Sequence, residues 1–158
     1  MEQQNINYWE LLKSHFECDG SLRDIYVFEA DAVLWDLFIA QILSHFHPQF
    51  WHGPEKGKIL LNFKSVLHFR DRGLATTMRF FLVGNIEVNC HFFEDDKIEM
   101  DIAPEEIHNE TAFNTLLSFL SWLSDALHRT THLTYENSPE WIILSMGRNE
   151  IKKPKYNL

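Results

Sequence analysis

"TTMRFFLVGNIEVNCH" (residues 76–91) is two β-forming runs around a Gly–Asn pair, and its register decides which residues face the core. A two-residue turn at Gly84–Asn85 would pair Val83 with Ile86 and Phe81 with Val88. Met78, Phe80 and Leu82 would then share a face with Glu87, Asn89 and His91, which splits the apolar set. A three-residue loop over 83–85 pairs Leu82 with Ile86, Phe80 with Val88 and Met78 with Cys90. All six then lie on one apolar face. A one-residue slip turns every side chain over, so burial selects the three-residue loop. Asn85 takes the left-handed position, which Asn tolerates.

Working outward, "EDD" (94–96) leads to "KIEMDI" (97–102), and the same logic pairs Phe92 with Ile98 and Cys90 with Met100. Upstream, "GKILLNFKSVLHFR" (57–70) alternates. Leu61, Phe63, Leu67 and Phe69 fall on one side, and Asn62, Lys64, His68 and Arg70 on the other. The alternation predicts a half-buried strand and hence a four-strand meander. "LRDIYVFE" (22–29) reads as a further strand, and "HLTYE" and "EWIILSM" as a last hairpin around "NSP".

Helical periodicity appears in three places. A short helix is expected in "INYWELLKSHF". A longer one, roughly 32–46, is capped by Asp31, carries Leu34, Trp35, Phe38, Ile42 and Phe46 on one stripe, and stops before Pro48. The clearest has Phe113, Leu116, Leu117, Leu120, Leu123 and Leu127 as its stripe, with Asn109 or Thr111 as cap and Arg129 near its C-terminus. Strands run consecutively instead of alternating with helices. The expected fold is α+β: an antiparallel sheet, a central four-strand meander plus additional strands, with two main helices on one face. One domain over 1–150 and a frayed basic tail over 151–158 are expected.

The chain has 158 residues, 45% hydrophobic and 23% charged, with a net charge of -9. That composition builds a core, and the charge disfavours nucleic acid and favours a basic protein partner. Two separate cysteines, Cys18 and Cys90, suggest free thiols in a reducing compartment. No basic-then-apolar leader pattern opens the chain, and no apolar run is long enough to span a bilayer. A soluble, cytoplasmic protein without membrane contact is expected.

"SHFHPQFWHG" (44–53) crowds His45, His47 and His52 together. As metal ligands they would need three or four converging donors. His45 and His47 splay apart at a helix end, and neither HExxH nor HxHxDH is present. The preferred reading is a helix terminus whose histidines suit the dipole, followed by a loop anchored by Trp51.

The face opposite the core gathers Thr77, His91 and Glu99 in one row and Arg79, Asn89 and Asp101 in the next. A His91–Glu99 pair beside an Arg79–Asp101 pair could serve acid–base catalysis, or could be cross-strand charge pairing. Phe81, Val83 and Phe93 point the same way, apolar where water is expected. They mark a partner surface, a homodimer contact, or a surface covered by the first helix or last hairpin. Residues 94–106 carry Glu94, Asp95, Asp96, Glu99, Asp101, Glu105 and Glu106 against Lys97 alone. Most of the net charge therefore sits there, without the DxDxDG spacing of a calcium loop. GxSxG, Walker and GxGxxG motifs are absent.

A small, acidic, cysteine-poor α+β chain without catalytic motifs is similar in class to bacterial immunity proteins. That likeness implies an inhibitor docking on a basic surface. The reading is a non-enzymatic protein-binding module without cofactor. It would use Glu94, Asp95, Asp96, Glu99, Asp101, Arg79 and Phe81. The alternatives are a small enzyme or metal-binding protein on His91 and Glu99 or on His45, His47 and His52, and a homodimeric structural subunit.

Overall fold

The computed structural model describes residues 5–147 and 150–152. In chain order the elements are α1 (Tyr8–Leu12, continued by a 3-10 turn Lys13–Phe16), β1 (Arg23–Phe28), α2 (Ala32–His45), β2 (Gln49–His52), β3 (Glu55–Gly57), α3 (Phe63–Asp71), β4 (Thr76–Leu82), β5 (Ile86–His91), β6 (Lys97–Ile102), a 3-10 turn Pro104–Glu106, α4 (Glu110–Leu127), β7 (Thr131–Tyr135), β8 (Ser138–Gly147) and β9 (Glu150–Lys152). The fold is α+β. The strands form one antiparallel sheet in the order β3-β2-β4-β5-β6-β1-β7-β8-β9.

The β4–β5 register is the one the apolar pattern requires. Leu82 pairs with Ile86, Phe80 with Val88 and Met78 with Cys90. All six are buried, and Asn85 sits at φ 61°. Cys90 also pairs with Met100 on β6. The expected Phe92–Ile98 pair does not form part of the ladder, which ends at His91 and Glu99. Phe92 instead packs on Trp35, with ring centroids 5.0 Å apart.

The strand expected over 57–70 is a helix, α3. Asn62 caps it, accepting from the Ser65 N–H at 2.9 Å. Period two would have placed Ser65 inside and Val66 outside. In the structure Val66 is buried and Leu61 is exposed. Phe63, Val66, Leu67 and Arg70 also obey the i, i+3, i+4, i+7 spacing, and the cap decides between the two periods. The missing first strand of the meander is supplied by β2, which pairs with β4 at Phe50↔Met78. The stretch around Trp51, read as a loop, is therefore a strand.

α2 and α4 begin where their caps predict. Asp31 accepts from the Leu34 N–H and Asn109 from the Ala112 N–H, both at 2.8 Å. Leu12, Phe16 and the buried stripes of α2, α3 and α4 join the inner sheet face in one core cluster. α2 packs against both α3 and α4. Trp35, fully buried, stacks on Phe63 at 5.1 Å and donates its indole N–H to the Asp95 carbonyl at 3.0 Å. The helix layer is thereby tied to the β5–β6 turn.

β1 is the join of the sheet. It pairs with β6 on one side and β7 on the other, so the last hairpin extends the same sheet. Residues 151 and 152, expected in the tail, belong to β9, where Ile151 pairs with Met146. The remainder of that tail, 153–158, lies outside the described residues. Among the described residues no helix is long and apolar enough to cross a membrane.

Candidate functional site: the outer sheet face

Alternation along the strands sends one set of side chains to the helices and the other outward. The outward rows form as the register predicts. Thr77, His91 and Glu99 lie side by side, as do Arg79, Asn89 and Asp101. The insertion of β1 lengthens both rows. Tyr26 stands beside Glu99 and Asp24 beside Asp101. On the far edge Trp51 stands beside Thr77 and Gln49 beside Arg79.

The pairings within those rows differ from the expected ones. His91 Nε2 lies 2.6 Å from Asp101 Oδ2, on the diagonal, and not on Glu99. Glu99 instead accepts from the Tyr26 hydroxyl at 3.2 Å. The same hydroxyl is 3.1 Å from Asp24 Oδ2, which also accepts from the Asn137 N–H at 2.7 Å. Arg79 does not pair with Asp101. Its guanidinium lies 4.4 Å from the Trp51 ring centroid, donates to Gln49 at 3.2 Å and approaches Glu87 at 3.8 Å. The cause is β1 and β2. Each brings a competing partner, Tyr26 and Trp51, that the meander alone does not contain.

Three carboxylates, Asp24, Glu99 and Asp101, thus crowd adjacent strands. Among the described residues none forms an ion pair with Lys or Arg. Asp24 is buried, and burial first, then Glu99 and Asp101, pushes its carboxyl up to about 6. Burial and the neighbouring carboxylates of Asp24 and Glu99 raise Tyr26 far above the phenol range. For His91, burial works against the charged ring. The Asp101 bond and the surrounding carboxylates outweigh it, and the net shift is upward.

Aromatic rings edge this strip. His91 stacks on Phe93 at 4.8 Å and Tyr26 on Phe28 at 5.4 Å. Phe81 and Phe93 remain 48% and 61% exposed, and Val83 is exposed beside them. Neither the first helix nor the last hairpin covers them. The acidic turn is exposed at Glu94, Asp95 and Asp96, but it is not loose. Arg70 of α3 pairs with Asp95 at 2.5 Å and donates to the Phe92 carbonyl, and Asp96 O accepts from the Ala30 N–H.

The three histidines of 44–53 do not converge. His45 is exposed at the end of α2, its Nδ1 2.9 Å from Gln41 O and its ring against Trp122. His47 is exposed. His52 is buried on the inner face, 4.0 Å from the Phe69 ring. Its Nε2 donates to Lys58 O and its Nδ1 lies within hydrogen-bond distance of Thr76 Oγ1, each at 3.1 Å. Among the described residues no group of three His, Cys, Asp or Glu is placed to hold a metal ion. Cys90 is buried on the opposite side of the sheet from His91, its thiol pushed up by burial, so it offers that histidine no nucleophile. A cleft of ≈360 Å³ beside α1 and the start of α4, lined by Tyr8, Trp9, Glu110 and Phe113 among others, contains none of the sequence-predicted site residues.

Sequence reasoning missed Asp24, Tyr26 and Trp51 as members of this face. The i, i+2 spacing of Asp24 and Tyr26 in "RDIYVF" puts them on one side of a strand but does not place that strand beside Glu99 and Asp101. Arg23, between the loop and Asp24, faces inward and binds Asp19 at 3.1 Å and the His15 carbonyl at 2.8 Å, so it forms no pair with Asp24. Comparison with protein-family models, curated proteins and solved structures finds no match to this chain.

Proposed function

We propose that the chain is a non-enzymatic docking module that receives a basic protein on its outer sheet face and acidic turn, in the manner of an immunity or inhibitor protein of a bacterial cytoplasm. The observation that carries it is the juxtaposition of Asp24, Glu99 and Asp101, without a Lys or Arg counter-ion among the described residues, with the exposed rings of Phe81 and Phe93. An excess of carboxylates over Lys and Arg steers and orients a cationic surface, and apolar rings supply contact area once it arrives. Arg79 lies between Trp51 and Glu87 on this face. The two free thiols, Cys18 and Cys90, suit the reducing setting.

The test is capture from a native lysate at low and high salt. Asp95 is engaged by Arg70, so the comparison bait carries Asp96→Lys and Glu99→Lys with Asp95 left in place. The expected result is a basic protein held by wild type, released by salt and not held by the variant. Salt-indifferent capture, or equal capture by both baits, overturns the reading. An acid–base enzyme on His91 is the second reading, favoured by the short His91–Asp101 bond. It requires turnover that His91→Gln abolishes.

A further inference from the structure

Tyr26 stands between two carboxyl groups with one hydroxyl proton to offer. Asp24 Oδ2 lies 3.1 Å from its oxygen and Glu99 Oε1 3.2 Å. The phenol can donate to one of them, and an ionised carboxylate only accepts. With both ionised, one carboxylate oxygen would face the phenol oxygen with no hydrogen between them. A proton on that carboxyl supplies the missing hydrogen: it donates to Tyr26 while Tyr26 donates to the other. The phenol does not give way, because burial and both carboxylates hold its proton on far past neutrality. The hydrogen-bond count therefore asks for one extra proton in this group of three.

The neighbouring strands do not remove that need. On β6, Asp101 stands beside Asp24 and adds a third carboxylate. On β7, Thr134 stands beside Asp24 and donates to the Tyr135 carbonyl, and His132 stands beside Tyr26 with its Nδ1 2.6 Å from Ser145 Oγ. Burial lowers the His132 value, so its ring is uncharged near neutrality. The turn after β7 gives Asp24 the Asn137 N–H, and Glu136 there accepts from the Leu22 N–H at 3.0 Å. Lys97 of β6 has its Nζ 5.8 Å from the Tyr26 ring centroid, and among the described residues it forms no ion pair with either carboxylate. Beyond Asp101, His91 is bordered by Thr77 on β4, Glu99 and Asp101 on β6 and the Phe93 ring. Protons thus enter the face at two places, the Tyr26 trio and the His91 ring.

We propose that Asp24, Tyr26, Glu99, Asp101 and His91 form a proton-operated switch on the docking face, which releases a basic partner when protonated and holds it when deprotonated. This rests on the docking reading above and adds its regulation. One proton in the trio and one on the His91 ring cancel two of the three carboxylate charges. When both protons leave to solvent, all three carboxylates stand against the partner. Lys and Arg side chains of that partner keep their charge throughout, so the change lies on this chain. Proton loss and partner binding are reciprocal: a partner that prefers the deprotonated face also drives the protons off. The sign follows from the two groups. The Asp24 carboxyl titrates at about 6 and the His91 value is raised, so docking is weak in mild acid and strengthens as pH rises through both.

Two measurements test this. In the free full chain, carboxyl carbon-13 shifts are followed through an acid-to-alkaline titration. The expected result is one step near the Asp24 value of about 6 that moves the Asp24 and Glu99 signals together, because one proton belongs to the pair. Carboxyls that titrate independently of each other, both in the ordinary range of about 4, overturn the proposal. The second measurement repeats the native-lysate capture in low salt at about pH 5.5 and about pH 8, on either side of those steps. The baits are wild type and the double variant Asp24→Asn with His91→Gln, which keeps hydrogen-bonding groups at both positions but takes up neither proton. Wild type is expected to retain the basic protein at least about tenfold more strongly at the higher pH. The double variant is expected to retain it equally at both. Equal retention by wild type at the two pH values overturns the switch and leaves the docking reading standing. So does a double variant that responds as wild type does. A wild type that retains no basic protein at either pH overturns the docking reading, and the switch with it.

Discussion

His91 reaches diagonally across the β5–β6 ladder to Asp101, 2.6 Å away, and leaves its direct neighbour Glu99 to the Tyr26 hydroxyl. The diagonal divides the outer face in two. One half is an imidazole–carboxylate pair that strengthens when the ring is charged. The other is a tyrosine shared by two carboxylates. The two halves respond to pH with the same sign but for different reasons.

The His91 half stabilises the folded chain most at low pH. Its folded value is raised above the ordinary imidazole value of about 6.5, so the contribution is whole below about pH 6.5 and is lost as pH rises through the folded value. Urea unfolding of wild type and His91→Gln across that range should show a gap of about 1–2 kcal/mol that closes as pH rises. A gap that does not change with pH would contradict the pairing.

The Asp24 half destabilises once ionised. Its carboxyl titrates at about 6 in the folded chain against about 3.9 when unfolded. Stability is therefore lost as pH rises from the unfolded value through the folded one. Asp24→Asn keeps an acceptor for the Asn137 N–H and the Tyr26 hydroxyl but carries no charge. It should be more stable than wild type at neutral pH, by on the order of 2–3 kcal/mol, and should lose that advantage near pH 4. A variant less stable at neutral pH would show that the carboxylate's bonds outweigh its burial.

Gly57 on β3 should not tolerate a side chain. A Cβ there would run into the His52 ring, which is itself pinned between Thr76, Lys58 and Phe69. Gly57→Ala is expected to lower the melting temperature and to raise amide exchange at Phe50 and His52, with little change on β5 and β6. Loss of about 1–3 kcal/mol is the size expected for overpacking.

Trp35→Ala removes a buried indole and its bond to the Asp95 carbonyl together. A loss of about 3–5 kcal/mol is expected. Binding of a basic partner should weaken along with it, because the acidic turn loses an anchor. Trp35→Phe should recover most of the packing but not the bond to the turn, which separates the two effects.

Local chemistry was legible where one residue settles a choice. Asp31 and Asn109 announce helix starts because their side chains satisfy free N–H groups. The β4–β5 register follows from burial because only one pairing keeps Phe80, Val88 and Cys90 together. Residues 57–70 misled because Phe63 and Leu67 fit two periods at once, and the capping role of Asn62 was overlooked. The four residues of β2 between Pro48 and Gly53 are too few to show a period of their own. The outer face was half legible. His91, Glu99, Arg79 and Asp101 share it by alternation alone. Asp24 and Tyr26 join only because β1 enters between β6 and β7, a non-local choice that no spacing in "RDIYVF" contains.

The position of β1 also sets the order in which the molecule can be finished. Ile25 pairs with Met100 on one side and Leu133 on the other. During synthesis β1 therefore emerges first among the strands and waits longest for its second neighbour. Until β7 leaves the ribosome, its hydrogen-bonding edge and the apolar side chains of Ile25 and Val27 lack their final cover. Such long-range pairing slows folding and leaves the nascent chain open to association in the interval. The strand that unites the sheet makes it one cooperative unit, and also makes that unit dependent on nearly the whole chain being present.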